Sequence, residues 1–413
     1  MEYGLIAESL KHSYSKEIHE LFGFYTYELK EIEPSNLEAF MKAKDFKGIN
    51  VTIPYKEAVI PFLDEIDPVA NEIGAVNTVV NRGGKLYGFN TDFFGMSELI
   101  KKTGMDLKGA KVLILGTGGT SKTAAYTAKH FGAETIIKVS RKPGKECITY
   151  EEAVLSHSNA DFIINTTPVG MYPKEDGMPI DLSAFSGLKG VIDAIYNPLN
   201  TKLVLSAKDR GINATGGLYM LVMQAVGALS KFMNAEVSSE KALEIYHKIL
   251  FSKGNLILTG MPGSGKSTVG KLIAERFSLD FIDTDEEIVR REGREIKDIF
   301  ETDGEAYFRN AESDVILSLS KEKNKLISTG GGAVLRSCNV ENLRKNGTVV
   351  FLDRDPSEIT PTNDRPLADN GDKVMRLYRE RLPIYKKNKD IEVTVKKSPE
   401  AVADEIGRII DAY

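Results

Sequence analysis

The segment Gly260-Met-Pro-Gly-Ser-Gly-Lys-Ser-Thr268 constrains the fold of this chain more than any other stretch. It follows an apolar run, Leu256 to Leu258, and precedes apolar residues at Val269, Leu272, Ile273 and Phe277 in helical spacing, so it reads as strand, loop and helix. Glycines allow the backbone to curl until successive N–H groups point at phosphate oxygens. Lys266 adds a positive charge near the β and γ phosphates, and Ser267 can ligate Mg²⁺. A nucleoside triphosphate site is expected, lined by Gly263, Ser264, Gly265, Lys266, Ser267 and Thr268; a glycine-rich turn without a ligand is the alternative. More than 250 residues precede the loop, far more than an N-terminal extension of such a domain needs.

A chain of 413 residues has room for two or three domains, and 42% hydrophobic with 27% charged residues is ordinary for soluble globular protein. The net charge of −5 gives no electrostatic reason to expect nucleic acid, and basic pairs such as Lys386-Lys387 are scattered. Two cysteines, Cys147 and Cys338, lie far apart without metal-type spacing, which supports neither a disulfide framework nor a zinc site and fits a reducing cytoplasm. Met1 to Ser9 carries Glu2 and Glu8 and no apolar core of signal-peptide length, and no apolar run approaches membrane-spanning length. A cytoplasmic protein with neither a membrane nor a nucleic-acid partner is expected.

No repeat, low-complexity segment or Pro/Ser-rich linker marks a seam. A helical pattern through Ala242, Ile245, Tyr246, Ile249 and Leu250 stops at Ser252-Lys253-Gly254, which places the boundary between two abutting units at about 251–254. In the first unit, Lys111 to Leu115 reads as a buried parallel strand. It runs into the glycine-rich turn Gly116-Thr-Gly-Gly-Thr120 and a helix to about Phe131, and strands follow at Thr135–Val139, Asp161–Ile164 and Gly190–Ile195. This predicts a Rossmann-type dinucleotide-binding domain over about 106–217. The second strand ends in Ser140-Arg141-Lys142 with no acid. A carboxylate there would bind the ribose 2′-OH of NAD, whereas an arginine accommodates the 2′-phosphate, so NADP(H) is expected over NAD(H).

The pieces Lys11-His-Ser-Tyr-Ser-Lys16, Gly48-Ile-Asn-Val-Thr-Ile-Pro-Tyr-Lys56, Gly74-Ala-Val-Asn-Thr78, Asn90-Thr-Asp92, Asn165-Thr-Thr-Pro-Val-Gly-Met171 and Gly217-Leu-Tyr-Met-Leu-Val-Met-Gln224 stand in order along residues 1–250. Together they resemble shikimate dehydrogenase. The resemblance implies a substrate domain over 1–105, to which helices of 218–250 return, and a catalytic pair, Lys56 and Asp92. A lysine beside an aspartate keeps its charge, polarises a carbonyl and supplies a proton, while the carboxylate orients the ammonium. Ser13 and Ser15 would hold the substrate carboxylate, and Thr52, Asn77, Tyr196 and Gln224 its hydroxyls and carboxylate. Singly, a serine or asparagine in such places reads as a turn or cap residue. Thr167 and Gly217 match positions near the nicotinamide, and Ala194 stands where the family commonly has a larger apolar residue. The chain departs from the family at Phe93, usually glycine, and in the threonines of the phosphate turn, usually alanines.

The second unit, 253–413, resembles shikimate kinase. Beyond the phosphate loop it carries Asp283-Thr-Asp285, Gly304-Glu-Ala-Tyr-Phe-Arg309, Ser328-Thr-Gly-Gly-Gly332, Asp364-Arg-Pro-Leu367 and Arg381-Leu-Pro-Ile-Tyr385. The resemblance implies a P-loop fold of the nucleoside monophosphate kinase type, with Ser267 and Asp283 on Mg²⁺, Asp285 as base, and Arg309 and Arg381 clamping the shikimate carboxylate. Gly330, Gly331 and Gly332 would leave room for the ring, and Arg365 on a lid would neutralise the transferring phosphoryl group. The stretch from Pro356 to Arg365 is shorter than the family's usual lid.

The expectation is an α/β chain that reduces 3-dehydroshikimate with NADPH and phosphorylates shikimate with ATP and Mg²⁺. Its partners are small molecules, no protein partner is required and a homodimer is left open. Two alternatives stand: a quinate/shikimate dehydrogenase using NAD, and a non-catalytic ligand-sensing module. Such a module should have lost Lys56, Asp92, Lys266, Ser267 and Asp285, all of which are present.

Overall fold

The computed structural model describes residues 1–10, 13–359 and 371–412. It divides into two compact units, Met1–Tyr246 and His247–Tyr413. The division falls inside the helix Ser239–Lys253, whereas the sequence places the seam at that helix's end. The last turn explains the difference. Phe251 is 6% exposed, belongs to the apolar core of the second unit and packs on Phe277 with ring centroids 5.0 Å apart.

The first unit holds two sheets. One is mixed, in the order Glu28–Glu31, Tyr3–Ala7, Gly48–Val51, Thr78–Arg82, Lys85–Phe89 and Glu65–Ile66. Its first three strands are parallel, while Thr78–Arg82 runs antiparallel to Gly48–Val51 and sets Asn50 opposite Thr78. Ile6, Ile49, Val51, Val79 and Leu86 face one buried core, and Leu5, Ala7, Val80 and Phe232 another, as period-two alternation requires of a sheet covered on both sides. The helix Leu218–Met233 supplies Phe232 and packs along the helix Thr91–Thr103. Gly95 lies where they meet: a Cβ there would stand 2.4 Å from the Met220 carbonyl oxygen.

The second sheet is entirely parallel: Cys147–Thr149, Thr135–Ser140, Lys111–Leu115, Phe162–Asn165, Gly190–Asp193 and Asn213–Thr215. Numbered along the chain, these strands run 3-2-1-4-5-6, the dinucleotide-binding order. Val112, Leu113, Ile114 and Leu115 are all buried, because helices cover both faces and leave no solvated side for alternation to record.

The second unit is a five-stranded parallel sheet in the order Asp280–Asp283, Lys325–Ser328, Asn255–Thr259, Gly347–Asp353 and Ile391–Thr394. The phosphate loop leaves its central strand, and the register aligns Asp283 with Ser328 and Ser328 with Leu258. Three chemistry-bearing loops therefore emerge at one edge of the sheet.

Candidate active sites

In the first unit the turn after Gly48–Val51 presents Lys56, whose carbonyl accepts from Val76 N at 2.8 Å. Asp92 stands in the first turn of the helix Thr91–Thr103, where the N-terminal end of the helix dipole favours a carboxylate, and Asn90 caps that end by accepting from Phe93 N at 3.1 Å. Lys56 Nζ donates to Asp92 Oδ2 at 2.5 Å, and both side chains are nearly buried, at 12% and 11% exposure. Asn77 Nδ2 donates to the other carboxylate oxygen at 2.9 Å, so Asp92 is held from both sides.

The amide of Asn77 is itself oriented. Its Oδ1 accepts from Thr91 N at 2.7 Å, and Thr78 Oγ1 receives Asn50 Nδ2 at 2.9 Å, while Asn50 Oδ1 receives the Tyr27 hydroxyl at 2.7 Å. Burial pushes the Tyr27 phenol well above its usual range and keeps it a donor. Tyr27 and Asn50 are site-supporting residues that the sequence reading missed. The strand pairing that sets Asn50 against Thr78 is a long-range fact, and Tyr27 lies in a segment that carried no motif.

Ser13 Oγ accepts from Ser15 N at 3.2 Å, and between them Tyr14 packs on Tyr196 with centroids 5.1 Å apart. Burial, with Tyr196 close by, raises the Tyr14 phenol to about 12. Thus the serine segment and Tyr196, far apart in sequence, share one neighbourhood. Gln224 is buried on Leu218–Met233 across from Gly95, and a Cβ on Gly95 would come within 3.0 Å of its backbone nitrogen. Thr52 is half-buried, its amide donating to Ile6 O at 3.1 Å.

The cofactor candidates lie at the carboxyl edge of the parallel sheet. Gly116 has φ +112°, and a Cβ there would meet Thr166 Oγ1 at 2.7 Å, so glycine is required twice over. Thr117 and Gly118 are exposed and Thr120 half-buried, and Gly118 stands at the free N-terminus of the helix Gly119–His130. A Cβ on Gly119 would touch Lys56 Cδ at 3.3 Å, which places this glycine-rich turn against Lys56. One strand over, Ser140 ends Thr135–Ser140, and Arg141 and Lys142 are exposed with no acidic partner among the described residues. Thr167 Oγ1 donates to Asn165 Oδ1 at 2.8 Å, and Ala194 N donates to Asn165 O at 2.9 Å. Gly217 closes this group: its Cβ would fall 2.2 Å from the Ala194 carbonyl oxygen.

In the second unit Gly263 and Gly265 adopt φ +80° and +95°, and Lys266 folds over the loop, donating to the carbonyls of Gly260 at 3.1 Å and Met261 at 2.9 Å. Ser264 is buried, whereas Ser267 and Thr268 are exposed in the first turn of the helix Lys266–Phe277. Ser267 Oγ donates to Asp283 Oδ2 at 2.7 Å, and Ser328 Oγ adds a second donor at 3.0 Å. A hydroxyl and a carboxylate at this spacing suit Mg²⁺, which keeps several waters and takes few protein oxygens.

Asp283 also caps the helix Thr284–Glu292 by accepting from Asp285 N at 3.0 Å. Asp285 Oδ1 is sealed from solvent without a hydrogen-bond partner among the described residues. Burial first, then the charges of Asp283 and Glu312, raise this carboxyl to about 6, against the pull of Lys266 and Arg309. A Cβ on Gly330 would lie 2.6 Å from Asp285 Oδ1, and one on Gly332 2.4 Å from the Arg309 guanidinium, so the glycines make room beside the carboxyl and the guanidinium. Gly331 stands between them, with its carbonyl accepting from Tyr385. Arg309 is 8% exposed and bonds Glu312 at 2.8 Å and Glu305 at 3.2 Å; Arg381 is 3% exposed. Glu312 is fully buried, and the desolvation raises its carboxyl while Arg309 and Arg381 oppose the rise. The sequence reading missed it, though a signal exists: Phe308, Val315, Ile316 and Leu319 form the buried stripe of the helix Gly304–Leu319, and position 312 falls on that stripe. Arg365 lies outside the described residues.

Residues 5–79 match the family model of the shikimate dehydrogenase substrate-binding domain, and residues 262–411 that of shikimate kinase. Over 264 residues the chain is 35% identical to the shikimate dehydrogenase (NADP(+)) of Clostridium perfringens strain 13, an alignment covering 60% of this chain and 97% of that protein. Among solved structures it is similar to a chorismate mutase/shikimate 5-dehydrogenase fusion protein from Clostridium acetobutylicum. That match has a TM-score of 0.57 and 35% identity over 60% of this chain and 96% of the other. It is also similar to shikimate 5-dehydrogenase from Thermus thermophilus in complex with NADP(H) and shikimate, at TM-score 0.54 and 29% identity, over 60% and 99%. The chain belongs to the shikimate dehydrogenase family and carries a shikimate kinase domain behind it, a bifunctional shikimate-pathway enzyme with both activities.

Proposed function

We propose that the first unit reduces 3-dehydroshikimate to shikimate with NADPH and that the second phosphorylates shikimate to shikimate 3-phosphate with ATP and Mg²⁺. Residues 1–105 with the helices of 218–250 serve as substrate domain, 106–217 as NADP domain and 253–413 as kinase. The observation that carries this reading is the nearly buried Lys56–Asp92 ion pair lying against the phosphate turn at Gly119. Bound NADPH supplies the hydride. Lys56 polarises the ketone and gives the resulting alkoxide a proton, while Asp92, tied by Asn77, remains a carboxylate and directs the ammonium. Ser13, Ser15, Thr52, Asn77, Tyr196 and Gln224 hold the ring's carboxylate and hydroxyls. Arg141 and Lys142, free of acids, receive the 2′-phosphate, and Thr167, Ala194 and Gly217 border the nicotinamide.

In the kinase, Asp285 takes the proton from the attacking hydroxyl. Lys266 leaves its loop carbonyls for the phosphates, and Ser267 with Asp283 holds Mg²⁺, which neutralises charge on the phosphoryl oxygens. Arg309 and Arg381 clamp the acceptor's carboxylate, with Glu312 fixing Arg309. Arg365 would complete the neutralisation. Among the described residues no helix is long and apolar enough to cross a membrane, and Cys147 and Cys338 are free thiols. We place the enzyme in the cytoplasm with small-molecule partners alone.

Oxidation rates of shikimate with NADP⁺ and of quinate with NAD⁺ test the first half. Shikimate with NADP⁺ should be the faster pair. A faster quinate–NAD⁺ reaction would assign the site to the other substrate and remove the role of Arg141.

A further inference from the structure

Tyr385 ends the segment Arg381-Leu-Pro-Ile-Tyr385, is 1% exposed, and takes part in no step above. Its ring stacks on Phe351, centroids 5.0 Å apart and planes 12° apart, which fixes the direction of the hydroxyl. From there the hydroxyl meets two carbonyls, that of Gly260 at 3.1 Å, where the phosphate loop begins, and that of Gly331 in the acceptor loop. A phenol carries one hydrogen. One donor therefore serves one carbonyl from each substrate's loop. The loops also touch directly, since a Cβ on Gly331 would fall 2.5 Å from Pro262 Cδ. Among the described residues the other side-chain donor to the Gly260 carbonyl is Lys266 Nζ, at 3.1 Å. A bound nucleotide draws that ammonium onto its phosphates and leaves the Gly260 carbonyl dependent on Tyr385. Arg381 lies one helical turn before Tyr385 on the helix Gly371–Asn388, and its positive charge opposes the rise that burial imposes on the phenol, so the carboxylate clamp stands beside the same point.

We propose that Tyr385 is a positioning residue that couples the two substrate sites of the kinase unit. When nucleotide takes Lys266 away from Gly260, the phenolic hydrogen turns toward Gly260 and releases the Gly331 carbonyl, so the glycine loop can settle around the acceptor. Linkage makes the effect reciprocal: shikimate, by engaging that loop, leaves the phenol free for Gly260 and tightens nucleotide binding. This rests on the kinase reading above.

Calorimetric titration of MgADP into the full chain, with and without saturating shikimate, measures the coupling. Saturation fills any shikimate site of the first unit beforehand, so the heat reports nucleotide alone, and Lys266→Ala supplies the blank. The wild type should bind MgADP about fivefold more tightly with shikimate present, the scale of one neutral hydrogen bond. In Tyr385→Phe, which keeps the ring stack, the ratio should fall to about one. Phe351→Leu loosens the packing but keeps the hydroxyl, so it should lower the melting temperature and retain the ratio. A wild-type ratio of one, a Tyr385→Phe ratio equal to wild type, or a Phe351→Leu variant that loses coupling alike would overturn the proposal. No MgADP heat beyond the Lys266→Ala blank would instead remove the kinase reading itself.

Discussion

Lys56 Nζ and Asp92 Oδ2 lie 2.5 Å apart in a nearly buried pair, and Asn77 occupies the remaining oxygen of the carboxylate. The lysine cannot leave without uncovering a buried charge. Lys56→Ala should therefore lower kcat for dehydroshikimate reduction by about 10²- to 10⁴-fold, the range of a lost general acid. The KM for NADPH should stay near wild type. Steady-state kinetics check this, and a kcat within a few-fold of wild type would take Lys56 out of the chemistry.

The kinase should show an acid limb. Asp285 must be ionised to act as base, and its carboxyl is raised to about 6, so kcat/KM should fall as pH drops through that value. Glu312→Gln removes one of the negative charges that raise Asp285, and the limb should move to lower pH. Asp285→Asn should abolish it together with most of the activity. A pH–rate profile of shikimate-dependent ADP formation measures all three.

Arg141→Ala with Lys142→Ala should raise the KM for NADPH at least about tenfold, as expected for two lost charge-assisted contacts to a phosphate, and leave the KM for NADH nearly unchanged. Parallel kinetics with both cofactors decide it.

Gly95→Ala should destabilise the first unit by about 1–3 kcal/mol, because the overpacking at the Met220 carbonyl outweighs the better helix propensity of alanine. The backbone of Gln224 is displaced by the same methyl, so the KM for shikimate should rise as well. Chemical denaturation and substrate kinetics give the two readouts.

Asp193 ends the strand Gly190–Asp193, buried, accepting from Asn165, Thr201 and Ile195, and burial raises it to about 6 from its ordinary 3.8. Between about pH 4 and 6 the native state keeps a proton that the unfolded chain has released, so this group's stabilising contribution is full below about pH 4 and lost as pH rises through 6. Asp193→Asn cannot titrate. Its stability relative to wild type should increase as pH is raised from 4 to 7, a difference in which other titrations, such as that of buried His19, cancel.

Local sequence carried much of this. The phosphate loops at 116–120 and 260–268 are legible because their chemistry is backbone chemistry, written as glycines in a strand–turn–helix context. Four of the six strands of the first unit's parallel sheet could be read from their apolar runs, whereas the short edge strands Cys147–Thr149 and Asn213–Thr215 carry no such run and are not expected from the sequence, so the 3-2-1-4-5-6 order emerges only from the fold. What escaped is what depends on pairing at a distance. The chain Tyr27, Asn50, Thr78, Asn77 exists because two strands meet in one register, and the burial of Glu312 depends on which helix face is covered. The seam lies inside a helix because Phe251 belongs to the core that follows it, a preference no helix-stop signal records.

Two active sites in one chain, with the product of one serving as the acceptor of the other, can be followed in a single reaction. Purified protein given dehydroshikimate, NADPH, ATP and Mg²⁺ should consume NADPH and form ADP in equal final amounts. Lys56→Ala should stop both, with added shikimate restoring ADP formation alone, and Asp285→Ala should stop ADP formation alone. Consumption of NADPH without any ADP, or loss of both activities in Asp285→Ala, would contradict the two-site reading.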